Sequence, residues 1–309
     1  MAIERISCAP GNGINEDLVA VFEHDGVTDL LVLDGATSVA DRDYADEQQG
    51  DVAWFVQAFA AALGRVLDAV RSQADSVQLA IEAVRRDYRE RTAGRDVPLY
   101  AHPLAALTWI RLRDDGGQVG ASLYCLGDCK AFGIDLDGVV TDLDPYVNPF
   151  ETVVQDAVAA LAQEGVDDPV VRRARLLPLL RARREDQHAS PAPTVLCLAP
   201  QGPFKARTAT LRLPRGSAVL AMSDGFNRLA DTYRLYTQED LVRRCRTDGL
   251  AGLARELRAW ETAQATITLA VKNADDASAL MWTPDGVDSN DNPSIRPVPA
   301  SAGAAEEQA

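Results

Sequence analysis

Apolar and β-branched residues fill two short runs near the start of the chain, DLVAVFE (17–23) and TDLLVLD (28–34). The residues between them contain Asp25-Gly26, so the pair reads as a hairpin with Asp25 in a turn role. The period then changes. GDVAWFVQAFAAALGRVLDAVRSQ (50–73) spaces its apolar residues three and four apart and reads as a long amphipathic helix. ADSVQLAIEAVRRDYRERTAG (74–94) reads as a second helix stopped by Gly94. Strand-like runs return at 104–113, 119–128, 130–136 and 139–143. Residues 149–187 turn helical and basic. PTVLCLAP, ARTATLRLP and SAVLAMSD read as three more strands, QEDLVRRCRTDG and LAGLARELRAWETAQ as two helices, and ASALMW (277–282) as a closing strand.

This order does not alternate strand and helix. It excludes a doubly wound parallel sheet and predicts an α+β fold with antiparallel sheets. Two helix pairs beside two groups of strands suggest a four-layer α/β/β/α sandwich with a central antiparallel β-sandwich. One domain is expected over 1–283, with a helical insert over about 149–187. The segment 284–309, rich in Pro, Ser, Asp and Ala, is expected to be a disordered tail.

The chain has 309 residues, 47% hydrophobic and 25% charged, which suits a globular domain. Its formal net charge of −15 argues against a nucleic-acid binder and against an anionic membrane surface as partner. The five cysteines form no metal-spaced or CxxC pattern, so a cytoplasmic protein with reduced thiols is expected. The opening MAIERISCAPGNG lacks the apolar core of a signal peptide, and no apolar run reaches about 18 residues, the length of a membrane span.

Asp-Gly occurs seven times, at Asp25, Asp34, Asp115, Asp137, Asp224, Asp248 and Asp285. In FGIDLDGVVTDL, Asp135 and Asp137 have the spacing of a haloacid-dehalogenase nucleophile and its acid/base partner. That chemistry needs the strand to feed a helix, whereas VVTDL continues as strand, so Asp137-Gly138 reads as a hairpin turn, assigned type I′. Three other acids differ. Asp34 and Asp224 each end an apolar strand, and Asp275 immediately precedes one. With Glu16 and Asp17 before the first strand, they form the oxygen donor set that a binuclear Mg²⁺ or Mn²⁺ site needs.

NGINEDLVAVF, LLVLDGATS, AALTWIRL, LYCLGDCKAFGIDLDGVVTDLD, SAVLAMSDGFNRL and ADDASALMW, in this order, resemble the successive motifs of the metal-dependent protein phosphatase 2C family, from about Gly11 to Trp282. The resemblance implies a β-sandwich flanked by helices, with two Mn²⁺ or Mg²⁺ ions between the sheets. It implies Asp34 and the Gly35 carbonyl as metal ligands, Glu16 mainly through water, and Asp224 and Asp275 on the other ion. It also implies Asp128 near a weaker third ion and Thr108 in a structural role. The activity implied is a phosphoserine/phosphothreonine protein phosphatase opposing a Ser/Thr kinase. Asp17 stands as acid/base candidate or as a hydrogen-bonded cap.

Two departures bear on that reading. Members usually carry an arginine four residues before the glutamate, where it clamps the substrate phosphate; here Asn12 stands there. Arg5, Arg42 and Arg228 are candidate substitutes. Where many eukaryotic members have a histidine after Asp-Gly, this chain has Ala36. His24, His102 and His188 read as packing or surface residues. The basic segment 171–185 reads as a solvated helix, with a second role open to its arginines in recognising an acidic or phosphorylated substrate. The alternatives to a protein phosphatase are a weak or inactive binding module on the same fold, and a small-molecule phosphatase.

Overall fold

The computed structural model describes residues 1–114, 118–214, 216–263, 274–284 and 296–297. The tail expectation, apart from Pro284, Arg296 and Pro297, lies outside the described residues, as do Asp115 and Asp285.

β1 (Ala2–Cys8) opens the chain, a strand that the sequence pattern missed because its apolar Ile3 and Ile6 sit among polar residues. β2 (Asp17–His24) and β3 (Val27–Gly35) form the expected hairpin. Asp25 and Gly26 both have positive φ, 46° and 73°, as a type I′ turn requires. The Asp137-Gly138 turn differs from its assignment: Gly138 is left-handed while Asp137 is not, and Gly138 N donates to Asp135 O at 3.2 Å. That is a type I turn with a left-handed glycine after it, the common three-residue hairpin loop. The hairpin itself stands, joining β6 (Lys130–Ile134) to β7 (Val140–Asp142).

α1 (Asp51–Val66) ends seven residues before the sequence pattern does, and α2 (Gln73–Arg91) follows. Arginines account for the break. Arg71 donates to Val66 O, Arg113 to Ala69 O, and Arg111 Nη1 to Arg71 O at 2.7 Å, so carbonyls at and just beyond the end of α1 are satisfied by side chains instead of a further turn. Ser72 then caps α2, accepting from Asp75 N.

β4 (Leu104–Asp114), β5 (Val119–Leu126), β8 (Leu196–Cys197), β9 (Arg207–Leu213) and the backbone-paired β12 (Arg296–Pro297) build one sheet with β2 and β3, in the order β12-β9-β5-β4-β3-β2, with β8 on β4. β10 (Ala218–Met222) and β11 (Ala277–Thr283) join β1, β6 and β7 in the order β1-β11-β10-β6-β7. Every pairing is antiparallel. The remaining α-helices among the described residues are α3 (Pro149–Gln163), α4 (Pro169–Ala189), the one-turn α5 (Asp224–Asn227), α6 (Gln238–Asp248) and α7 (Leu250–Ala263).

Alternation along the strands makes the layers. Leu31, Leu33, Leu107 and Trp109 face α1 and α2, while Leu30, Val32, Ile110 and Leu123 face Val219, Ala221 and Leu280 of the other sheet. Leu220, Met222, Ala279 and Met281 meet α6 and α7. Three apolar layers therefore separate four layers of structure, as the sequence order predicts.

α4 is solvated along one side only: within the basic segment Arg172, Leu176 and Arg184 are buried, and so is His188 beyond it. His188, fully buried, approaches His102 O through Nε2 at 3.2 Å and packs edge-on to the His102 ring at 5.5 Å. Burial pushes the His188 imidazole down to about 4, with His102 and Arg184 adding like-charge repulsion. The unfolded chain therefore binds more protons than the folded one between about pH 6.5 and 4. Stability is fully present above that window and is lost as pH falls through it, by up to roughly 3 kcal/mol from this group. Measured from pH 7.5 to 4.5, the difference in urea midpoint between the wild type and His188→Gln should change with this slope, since the other titrating groups are common to both proteins.

Candidate active site

Asp34 lies at the end of β3, opposite Asp17 of β2 and Ala106 of β4. It shares the parity of Leu30 and Val32, so its carboxylate points between the sheets, where the sandwich opens. The other sheet ends at the same place: Asp224 follows β10 as the first residue of α5, and Asp275 precedes β11. Asp128 lies in the crossover from β5 to β6. Asp34, Gly35, Asp128, Asp224 and Asp275 line one cavity of about 330 Å³. Glu16 and Asp17 sit beside it rather than in its lining. Thr108 is buried, its hydroxyl donating to Cys129 O at 3.4 Å.

Close backbone crossings separate the glycines here from those in turns. A Cβ on Gly35 would stand 2.4 Å from Glu16 O, and one on Gly225 only 1.8 Å from Asp276 O. Gly26 and Gly138 have open space around them. Gly35 N also donates to Glu16 O at 3.1 Å, which ties the two segments together.

The carboxylates repel one another. Burial first, then Asp224, Asp17, Asp128 and Asp275, holds Asp34 well above the usual carboxylate range. Asp224 opens to solvent within the cleft, yet loss of hydration, then Asp128 and Asp275, raises it to about 6, against the help of Asp34 and Arg228. Asp17 is buried and raised to about 8, chiefly by desolvation, and its Oδ2 has no hydrogen-bond partner. As a cap it is a poor candidate, because its own backbone N is the group being capped, by Asn15 Oδ1 at 3.0 Å.

Two contacts partly hold the cluster. Asp224 N donates to Asp34 Oδ2 at 3.3 Å, and Arg228 Nη2 meets Asp275 Oδ2 at 3.3 Å. Of the three candidate substitutes for an arginine at position 12, only Arg228 lines the cavity. Arg5 is exposed on β1, and Arg42 lies over the Tyr44 ring at 4.9 Å. Asn12 is exposed.

Sequence reasoning passed over Asp276. Its Oδ2 accepts from Glu16 N at 2.7 Å, and Thr37 Oγ1 donates to Glu16 Oε2 at 2.8 Å, so Glu16 is oriented from both ends. The doubled aspartate in ADDAS was the signal. Arg184 was passed over too. It is buried in α4 and donates to Ala36 O at 2.7 Å and Thr37 O at 2.6 Å, holding the loop just past Asp34-Gly35. Burial lowers its guanidinium to about 10, so it stays charged at neutral pH.

The donors suit a hard divalent cation: they are all oxygen, their negative charges raise one another's pKa, and a buried carboxylate oxygen is orphaned. As the side chains are placed, no group of three or more His, Cys, Asp or Glu among the described residues is close enough to hold one ion.

No protein-family model and no curated relative matches the chain. Solved structures do. The S. agalactiae serine/threonine phosphatase matches with a TM-score of 0.50 and 13% identity, over 92% of this chain and 99% of its own. The chain has a serine/threonine phosphatase fold. A bacterial serine phosphatase bearing an arginine-to-lysine mutation matches at TM-score 0.51 and 13% identity, over 93% of this chain and 99% of its own. The catalytic domain of the phosphatase PstP, in complex with 2 manganese ions, matches at 0.47 and 16%, over 91% and 96%. This phosphatase fold is the one that the motif resemblance implies.

Proposed function

We propose that the chain is a Mn²⁺- or Mg²⁺-dependent phosphoester hydrolase acting on phosphoserine or phosphothreonine in proteins. The observation that carries this reading is the convergence of Asp34, Asp128, Asp224 and Asp275, from four separate segments, on one cavity of a phosphatase fold. In this reading Asp34, the Gly35 carbonyl, Asp224, Asp275 and Glu16 hold two divalent cations, with Asp128 at a weaker third. The ions supply the activation of water and the charge neutralisation for in-line displacement at phosphorus. The chain's own groups do the placing. Asp276 and Thr37 orient Glu16, and Arg184 fixes the loop beside Gly35. In the cation-free protein Asp17 holds a proton at neutral pH on its buried carboxyl, behind Asp34. The expected setting is a cytoplasmic phosphoprotein substrate and a cognate Ser/Thr kinase; among the described residues no helix is long and apolar enough to cross a membrane.

Hydrolysis of p-nitrophenyl phosphate and of phosphoserine and phosphothreonine peptides, with and without Mn²⁺, tests the proposal. Turnover that follows added Mn²⁺ and stops with a chelator is the expected result; turnover indifferent to metal overturns it. Asn12, exposed and uncharged, favours a second reading, a weak or inactive binding module. Metal binding without turnover on any ester would select that one. Turnover of metabolite phosphates but not of phosphopeptides would select a small-molecule phosphatase.

A further inference from the structure

α4 forms one wall of the acidic cavity through Arg173, Arg183 and Arg184. Most arginines of this helix are committed. Arg184 holds the carbonyls of Ala36 and Thr37, Arg173 that of Ser38 at 3.0 Å, and Arg181 that of Val39 at 2.9 Å together with Asp41. Arg172 bonds Val166 O at 3.2 Å, and Arg175 pairs with Glu164 at 2.9 Å. Spacing explains the division. Positions 173 and 184 lie about 20° apart around the helix at 100° per residue and face the loop, whereas 183 projects from a different part of the circumference.

Arg183 is the exception. Its guanidinium lies 5.0 Å over the Phe150 ring, and its Nε is buried with no hydrogen-bond partner. Phe150 places that charge at the active-site cavity, which it lines as well. Phe150 N donates to Asn148 Oδ1 at 3.0 Å, and Asn148 Nδ2 to Asp128 Oδ2 at 2.7 Å. A planar donor fork thus stands in the wall of the cavity that Asp34, Asp128, Asp224 and Asp275 also line. Arg228, which also lines the cavity, is engaged by Asp275.

We propose that Arg183 binds the phosphoryl oxygens of the substrate, filling the part that Asn12 cannot fill. The inference rests on the phosphatase reading. A phosphomonoester dianion entering a cavity floored by four carboxylates needs a cation on the facing wall. A guanidinium fork meets phosphate oxygens in a bidentate way that neither Asn nor a point charge reproduces. Stacking on Phe150 restricts the fork before substrate arrives, which lowers the ordering cost of binding.

The test uses the full chain loaded with Mg²⁺, titrated calorimetrically with inorganic phosphate, and p-nitrophenyl phosphate hydrolysis of the same samples. Arg183→Met should weaken phosphate binding about tenfold to a hundredfold and raise KM by a similar factor, with a smaller change in kcat. Arg183→Lys should recover part of the loss. Arg175→Met removes the same charge from an exposed part of α4 and should leave both values within about twofold. Melting temperatures of the three variants confirm folding. Unchanged phosphate affinity in Arg183→Met overturns the inference; if turnover persists with it, the phosphatase reading stands alone. Wild-type protein that binds no phosphate overturns the inference, and if it also hydrolyses no ester, the phosphatase reading falls with it.

Discussion

Asp34→Asn is expected to lower phosphoester hydrolysis on the order of a thousandfold and, at neutral pH, to raise the melting temperature of the metal-free chain. Both effects have one cause. Asp34 stands between the sheets with its carboxylate facing Asp17, Asp128, Asp224 and Asp275, and its pKa is driven up by burial and by those neighbours. At neutral pH the unfolded chain ionises this carboxyl freely, whereas the fold must either crowd its charge among the others or take up a proton, and either route costs free energy. Asn keeps the shape and removes the charge, so the metal-free fold gains stability. It also removes the anionic oxygen that the proposed metal site needs most, so the melting-temperature rise on adding Mn²⁺ should shrink or vanish. Calorimetric scans of wild type and variant, each with Mn²⁺ and with chelator, separate the two effects. Equal Mn²⁺-induced stabilisation in both proteins would take Asp34 out of the metal site. A lower melting temperature in the metal-free variant would show that the carboxylate is instead satisfied in the fold.

The largest loss of stability is expected far from that cavity, at Asp29. This residue is fully buried on the face of β3 that meets α1 and α2. It accepts from Trp109 Nε1 at 2.7 Å and from Arg111 Nε at 2.8 Å and Nη2 at 3.1 Å, with His24 Nε2 at 2.8 Å. Arg111 is itself only 4% exposed. Asp29→Ala leaves a buried guanidinium without its counter-ion, and breaking such a pair from one side costs about 3–5 kcal/mol. The fault should also propagate, because Arg111 holds the Arg71 carbonyl where α1 gives way to α2. Urea unfolding of Asp29→Ala, Arg111→Met and the double Asp29→Leu/Arg111→Met measures this. The double variant should be more stable than Asp29→Ala, since a matched apolar replacement leaves no orphaned charge. A loss below about 1 kcal/mol in Asp29→Ala would mean that water reaches Arg111.

The same carboxylate shows where sequence reading loses its grip. TDLLVLD reads as a strand from its apolar run, and it is one. Nothing in that run tells a buried, hydrogen-bonded Asp29 from an edge aspartate, because its partners Trp109 and Arg111 come from a strand some 80 residues on. His24 reads as a packing or surface histidine, while its partner Asp29 goes unseen. β1 escapes detection for a related reason. It earns its place by pairing with β11 at the far end of the chain, from Ala2 opposite Thr283 to Cys8 opposite Ala277. Polar residues are tolerated on a sheet edge that a central strand would exclude.

Strand order, helix pairs and turn residues are local properties, written in the period of apolar positions and in Asp-Gly pairs. They were enough to determine an α+β sandwich and to demote Asp135 and Asp137. The order of short motifs was enough to single out Asp34, Asp224 and Asp275. Only the tertiary structure decided which Asp-Gly pairs bear on the cavity, because the test is a backbone crossing: Gly35 against Glu16 and Gly225 against Asp276. It alone brought Asp276 to Glu16 and made one side of the basic α4 a wall of the cavity, with Arg184 on the loop and Arg183 over Phe150. A charge run has the same sequence whether water or carbonyl groups satisfy it. Where a guanidinium finds its acceptor depends on distances between segments that composition and periodicity do not encode.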